Sequence, residues 1–375
     1  MKTARVAIVG GGLSGVYAAW QLEQHGIRDY VLLEARPALG GRILSTATKV
    51  EGATATGREE HTVNRFDLGP TWFWPSMQPE FGRLITDLGL TAFEQYADGD
   101  MVFEQSATER PVRMRGYIQP DSMRLVGGMR TLVETLYERL EPANVLTERR
   151  VSKLQALDGA VQVTAEDFTG AVQTWSVEHV LLALPPRLAE ATIKFDPVLP
   201  RELARQWQST ATWMAPHAKY IAIYETPFWR ELGLSGEARS ARGPLAEIHD
   251  ASMPGGRGAL FGFLGVPAQV RSRVSSDVLR THCRAQLVRI FGEEAANTIG
   301  DRVKDWAIDP FTATESDLSA ELGHPRTPEV AAKSGAWFGL LHGIASEWSR
   351  EYPGYLAGAI EAADSGVRSL LRVQG

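Results

Sequence analysis

Hydrophobic and polar positions along this chain follow two periods, and the places where one gives way to the other mark out its elements. Arg5 to Val9 (RVAIV) is apolar without alternation, the pattern of a strand buried on both faces, and the strand signal reaches back to Thr3. A glycine turn, Gly10-Gly11-Gly12-Leu13-Ser14-Gly15, leads into VYAAWQLEQHG, which has helical composition and stops at Gly26. Asp29 to Leu33 reads as a second strand. Further on, Phe81 to Gly89 predicts a short helix, and Met101 to Gln105 with Val112 to Ile118 predicts a hairpin. Gly127-Gly128-Met129 opens a helix that carries Leu132, Val133, Leu136 and Leu140 on one stripe. Val151 to Leu157, Ala160 to Ala165 and Thr174 to Val177 alternate like meander strands, and His179 to Leu184 is an apolar run stopped by Pro185-Pro186. Asp277 to Phe291 is amphipathic, with Cys283 on the stripe of Leu279, Leu287 and Ile290. Trp337 to Leu341 predicts a strand, and a long helix starts near Gly354 in PGYLAGAIEAADSGVRSLL. A β-α-β opening with later meander strands and helices predicts an α/β fold.

One strand carries an anomaly. Ala218 to Tyr224 presents Tyr220, Ala222 and Tyr224 on one face, and Ile221, Ile223 and Lys219 on the other. A lysine on an apolar face is unusual, because an ammonium is seldom buried without a purpose; the alternative is a side chain that reaches solvent along its own stem.

Composition narrows the classes. The chain has 375 residues, 44% hydrophobic and 22% charged, with a formal net charge of −6. That length suggests two or three domain-sized units, and the apolar content excludes intrinsic disorder. No basic run offers a footprint for nucleic acid. Cys283 stands alone, so neither an internal disulfide nor a cysteine-built zinc site is available, and the eight histidines show no metal-ligand spacing. No apolar stretch approaches the roughly 20 residues that span a bilayer, and Thr3 to Val9 reads as a strand rather than a signal peptide. The expectation is a soluble, cytoplasmic protein without metal, membrane or nucleic-acid partner. Its oligomeric state is left open.

The N-terminal turn carries chemistry. In a strand–turn–helix unit, Gly10 allows the tight turn, Gly12 lets the backbone approach a pyrophosphate, and Gly15 lets the helix pack on the strand, with the helix N-terminus facing the phosphates. Glu34 ends the second strand nineteen residues beyond Gly15, where an acid accepts from a ribose hydroxyl, and it argues against NADP. Two features favour FAD over NAD. Ala19 extends the small-residue pattern, and a second glycine turn, Gly40-Gly41-Arg42, can bring backbone donors and a guanidinium to the same pyrophosphate; an ordinary surface turn is the alternative.

The segments VAIVGGGLSGVYAAWQLEQHG and VLLEARPALGGR resemble the N-terminus of the flavin-containing amine oxidase family, which includes monoamine oxidases, polyamine oxidases, L-amino-acid oxidases and flavin desaturases. The likeness covers most of the chain. It implies a Rossmann-like, glutathione-reductase-type FAD domain in discontinuous pieces, 1–75, 120–207 and 309–375, with a smaller mixed-sheet substrate domain in 76–119 and 208–308. It also implies cofactor contacts for Ser14, Ala35, Arg36, Gly41 and Arg42. The segment Gly69-Pro70-Thr71-Trp72 resembles the one that returns to the isoalloxazine, and the backbone near Val151 resembles the one that meets the adenine. Lys219, just before Pro227-Phe228-Trp229-Arg230, matches the family lysine that holds a water beside flavin N5. Trp306 precedes Asp309-Pro310-Phe311 as in the segment leading back to the flavin domain, Glu347 matches a glutamate on the ribityl–phosphate chain, and Leu356 belongs to the same C-terminal cofactor segment. Tyr355 matches one wall of an aromatic cage, or else simply packs at a helix start.

Two departures stand out. Pro310 to Ser316 has no cysteine where family members with covalent flavin carry one, so the FAD is expected to be non-covalent, and Ser316 falls where the second cage aromatic belongs. Trp72, Tyr352 or Trp337 could complete the cage. Only about fifty residues separate the first flavin segment from Gly127-Gly128-Met129, a reduced lid by family standards. The implied function is oxidation of an amine by hydride transfer to flavin N5, with dioxygen giving hydrogen peroxide, and with Lys219 and Tyr355 as catalytic residues. A desaturase or dehydrogenase, an L-amino-acid oxidase, and a flavin-binding protein without turnover remain alternatives. No arginine lies in the segments expected over the flavin, which favours amines lacking an α-carboxylate; Arg350, Arg65 and Arg113 stay open as carboxylate partners.

Overall fold

Parallel pairing of the first strand with the next strand on one side and a distant one on the other organises the first of two units. The computed structural model describes residues 1–47, 63–106, 108–115, 121–319 and 326–372, so the end of the predicted hairpin, 116–118, lies outside them. The chain forms two compact units, Met1–Arg42 with Leu132–Ala215 and Asp309–Gly375, and Ile43–Thr131 with Pro216–Ile308. These units divide the chain after Arg42, Thr131, Ala215 and Ile308, whereas the sequence placed divisions after 75, 119, 207 and 308.

In the first unit, Lys2–Val9 lies parallel to Tyr30–Leu33 on one side and to Val172–Leu182 on the other. The sheet runs Lys194–Asp196, Arg150–Leu157, Ala160–Glu166, Val172–Leu182, Lys2–Val9, Tyr30–Leu33, Val145–Leu146, and Leu341–Gly343 also pairs with Val172–Leu182. Val172–Leu182 joins what the sequence divides into two strands. It pairs antiparallel with the meander (Val161↔Val177) and parallel with the first strand (Val9↔Leu182). Burial alternates early in this strand and becomes continuous from Val180 onward, so the pattern changes period inside one element. Trp337 is not in a strand. It packs edge-on against Phe195 at 5.6 Å and donates its indole to the Pro197 carbonyl at 2.8 Å, while the strand begins at Leu341.

The second unit is built on a seven-stranded sheet in the order Gly300–Asp305, Ala218–Tyr224, Gly258–Leu264, Leu245–Asp250, Leu234–Ser240, Asp100–Glu104, Val112–Arg115. Ala218–Tyr224 is buried along its whole length. Tyr220, Ala222 and Tyr224 pack with Leu279, Cys283 and Leu287 of the helix Ser276–Phe291, and Ile221 and Ile223 pack with Phe66, Leu68 and Phe261. Cys283 is a core thiol, pushed up to about 12 by burial.

Candidate functional site

The first unit builds a cradle from the two glycine turns. Gly10 has φ +104°, and a Cβ there would strike the Ala183 carbonyl oxygen at 2.8 Å; at Gly15 it would meet the Gly10 carbonyl oxygen at 2.0 Å. Only glycine lets the helix Leu13–Gln24 sit this close to the strand. Gly12, by contrast, has open space where its side chain would be. The helix starts at Leu13 without a side-chain cap, so the backbone N–H groups of its first turn, which includes Ser14, are available to an anion. Gly40 bridges to Gly12 and donates to the Gly11 carbonyl at 2.8 Å, and Gly41, at φ +56°, lies against the Gly12 Cα. The two turns therefore form one backbone surface.

Glu34 is buried beside them, 5% exposed. One carboxylate oxygen accepts from Gly11 N at 2.6 Å and the other from Arg36 N at 2.7 Å, across Ala35. Burial raises its pKa, and these bonds oppose the rise. Each oxygen keeps a lone pair, which fits a ribose diol. Leu146 to Val151 runs along the same turn: Arg149 N donates to the Glu34 carbonyl at 2.8 Å, and Val151 is buried two residues on.

The two predicted arginines are held by carboxylates. Arg36 makes a fork on Asp309 (2.7 and 3.1 Å), reaches Thr312 Oγ1 at 3.1 Å, and lies over the Phe311 ring at 5.2 Å. Arg42 makes a fork on Glu347 (2.6 and 3.0 Å), so two residues predicted separately, one at each end of the chain, form one ion pair. Glu347 is fully buried. The open amide surface, the buried acid and this clamp fit a dinucleotide of the FAD type.

Lys219 defines the candidate site of the second unit. It is 2% exposed, so the route to solvent is closed. Its Nζ donates to the Gly69 carbonyl at 3.1 Å and to Thr71 Oγ1, and lies 3.8 Å from the Phe261 ring centroid. Burial lowers its pKa to about 7, the charge of Asp67 opposes that fall, and Arg124 adds to it. Pro70 completes the loop between the two acceptors. Trp306 braces the same loop, donating its indole to the Leu68 carbonyl at 3.1 Å. Trp72 donates to Gln95 Oε1 and packs on Phe261 and His249.

The family model for flavin containing amine oxidoreductase matches residues 92–371, and a model for an NAD(P)-binding Rossmann-like domain matches residues 8–88. The chain belongs to the flavin-containing amine oxidoreductase family. Putrescine oxidase of Kocuria rosea is 32% identical over 86% of this chain and 87% of that protein. Flavin-containing amine oxidase B of Sus scrofa is 25% identical over 54% of this chain and 39% of that protein. Two solved structures share the fold over 99% of both chains: wild-type putrescine oxidase bound to putrescine (TM-score 0.79, 20% identity) and cyclohexylamine oxidase from Brevibacterium oxydans (TM-score 0.79, 17% identity). The protein is thus a flavin-dependent oxidoreductase with a Rossmann-like domain and mixed sheets.

For this family member, the stretch where a covalent-flavin cysteine would stand is a short turn in which Glu315 and Ser316 are exposed and Asp317 is buried against Arg187. The aromatic beside Tyr355 is Trp213, with ring centroids 6.4 Å apart; sequence reading did not single it out. Its backbone is pinned by the ion pair, N to Glu347 and O to Arg42, and Gly354 leaves room for it where a Cβ would collide. Leu356 begins the helix Leu356–Arg372, directly after Tyr355. Trp337, in the core, does not complete a cage. Asp67 and Arg124 were also missed. Both are charged residues inside apolar runs, Phe66-Asp67-Leu68 and Met123-Arg124-Leu125, a signal as legible as that of Lys219.

Proposed function

We propose that this chain is an FAD-dependent amine oxidase whose substrates are amines without an α-carboxylate. The observation that carries the reading is Lys219, a buried amine with two defined acceptors, in a chain whose N-terminal turns form a dinucleotide cradle. When bound, without a covalent link, FAD would supply the redox chemistry, two-electron oxidation of the amine with dioxygen as the final acceptor giving hydrogen peroxide. The backbone amides around Gly10, Gly12, Ser14 and Gly41 hold its pyrophosphate, Glu34 its ribose, and the Arg42–Glu347 pair the linking chain. Tyr355 and Trp213 orient the amine with aromatic faces, which attract an amine dipole or cation. Lys219 stabilises the anion formed as dioxygen is reduced. The hydride leaves the carbon of a neutral amine, a step that needs no dedicated side-chain base.

One arginine beside Lys219 supports the substrate class. Arg350 is exposed, and Arg113 donates to the Leu232 carbonyl at an exposed position. Arg124, the buried guanidinium whose charge acts on Lys219, already donates to the carbonyls of Ala251 and Ser252 at 2.7 and 2.9 Å. Arg124 therefore has its fork taken up by backbone carbonyls and not open to a carboxylate. The soluble, cytoplasmic setting is part of this proposal; among the described residues no helix is long and apolar enough to cross a membrane.

Lys219→Met tests the reading. Stopped-flow traces are expected to show flavin reduction by amine largely retained and reoxidation by dioxygen slowed at least tenfold. Equal reoxidation rates would remove Lys219 from the mechanism.

A further inference from the structure

The loop that holds Lys219 supplies four groups from five consecutive residues. The Gly69 carbonyl and the Thr71 hydroxyl accept from Nζ, the Leu68 carbonyl is taken by Trp306, and Asp67 contributes charge. The Asp67 carboxylate is fixed by Ser45 Oγ at 2.8 Å and Met129 N at 3.0 Å. On the other side lie the Phe261 face and, at 5.8 Å, Phe263. An ammonium has three N–H groups; two are engaged here, and one is left for a water or a ligand. Of the two acceptors, the carbonyl belongs to the backbone. Thr71 is the one that a side chain provides, so it is the one that substitution can remove.

The surrounding charges are few and defined. Asp67 favours the charged form of Lys219, and Arg124 disfavours it. His249, hydrogen-bonded to Glu247 at 2.6 Å, stacks behind Phe261 at 5.4 Å. Lys304 stands opposite Lys219 on the neighbouring strand and lies over Trp306 at 4.4 Å. Burial brings the titration of Lys219 to about 7, where a single hydrogen bond changes how much of it is charged.

We propose that Thr71 is the positioning residue of Lys219: its hydroxyl aims the ammonium and stabilises the charged form, and so sets the upper pH limit of flavin reoxidation. This rests on the assignment of Lys219 to reoxidation. A hydroxyl that accepts from the ammonium favours the protonated state. Its loss lowers the pH at which Lys219 loses its proton by about one unit, which at the wild-type midpoint slows reoxidation about fivefold.

The test is the reoxidation rate against pH, by stopped flow on the holoenzyme, for wild type, Thr71→Val, Thr71→Ser and Lys219→Met. Thr71→Val is expected to move the midpoint down by about one unit, Thr71→Ser to restore it, and Lys219→Met to lack the transition. An unmoved midpoint in Thr71→Val, with the transition absent from Lys219→Met, overturns the proposal and leaves Lys219 in its role. A transition retained in Lys219→Met removes both. A shift in Thr71→Ser as large as in Thr71→Val assigns the effect to shape and overturns the proposal as well. Should Thr71→Val fail to hold FAD, NMR titration of 13Cε-labelled lysine in Thr71→Ala holoenzyme, with Lys219→Met assigning the signal, reads Lys219 without turnover. A midpoint equal to wild type there counts against the proposal.

Discussion

Replacing Glu34 separates two tasks that one carboxylate performs. In the protein alone it accepts from Gly11 N and Arg36 N, at 2.6 and 2.7 Å, and so ties the first glycine turn to the end of the second strand. In the proposed FAD complex its remaining lone pairs would accept from the ribose. Glu34→Ala removes both. Loss of the backbone bonds leaves two N–H groups in a site that is 5% exposed, at about 1–3 kcal/mol each if water does not replace the carboxylate. That cost appears as lower stability of the apoprotein. Loss of the ribose bond costs a further ~1.5–3 kcal/mol of binding, a factor of about 10 to 150 in Kd. The assay pairs denaturant unfolding of the apoprotein with titration of FAD and of FMN, which lacks the adenosine ribose. The FAD affinity should fall by at least tenfold and the FMN affinity by much less. Equal losses for the two flavins would show that Glu34 acts only through the loop, and an unchanged FAD affinity would refute the ribose assignment.

Acid precipitation of the holoenzyme should leave yellow flavin in the supernatant, since Cys283 is sealed in the core and the turn at Glu315 offers no thiol; colour in the pellet would contradict this. Burial lowers His342 to about 4. As a base with a depressed native pKa, it contributes stability that is full above about pH 6.5 and is lost as the pH falls toward 4, by up to about 3 kcal/mol. Urea unfolding of wild type and His342→Asn across that window should therefore converge at low pH, and parallel curves would exclude His342 as the titrating group.

The N-terminal cradle was legible because its physics is local. Gly10 follows from a positive φ, Gly15 from close approach, and Glu34 from its place at the end of the second strand, all within one strand–turn–helix–strand unit. Lys219 was legible for a different reason, as a charge on an otherwise apolar strand face. The same reasoning extends to Asp67 and Arg124, each a charge between apolar neighbours, although each strand has three residues and the flanking residues rather than a face carry the signal. Pairings over long separations left no local trace. Arg42 meets Glu347, Arg36 meets Asp309, and Trp213 meets Tyr355 only because the first unit is assembled from three stretches of chain. Trp337 misled because an aromatic in an apolar run looks the same in a strand as in a core turn.

Electron transfer from an amine to the flavin underlies every role proposed above. Anaerobic mixing of the holoenzyme with matched pairs, an amine and its α-carboxylated parent, tests it most directly, read as bleaching of the visible flavin band. Bleaching by the amine and much slower bleaching by the amino acid are expected. A consistent preference for the amino acid would contradict the substrate class, and a flavin that no amine bleaches would contradict the electron transfer itself.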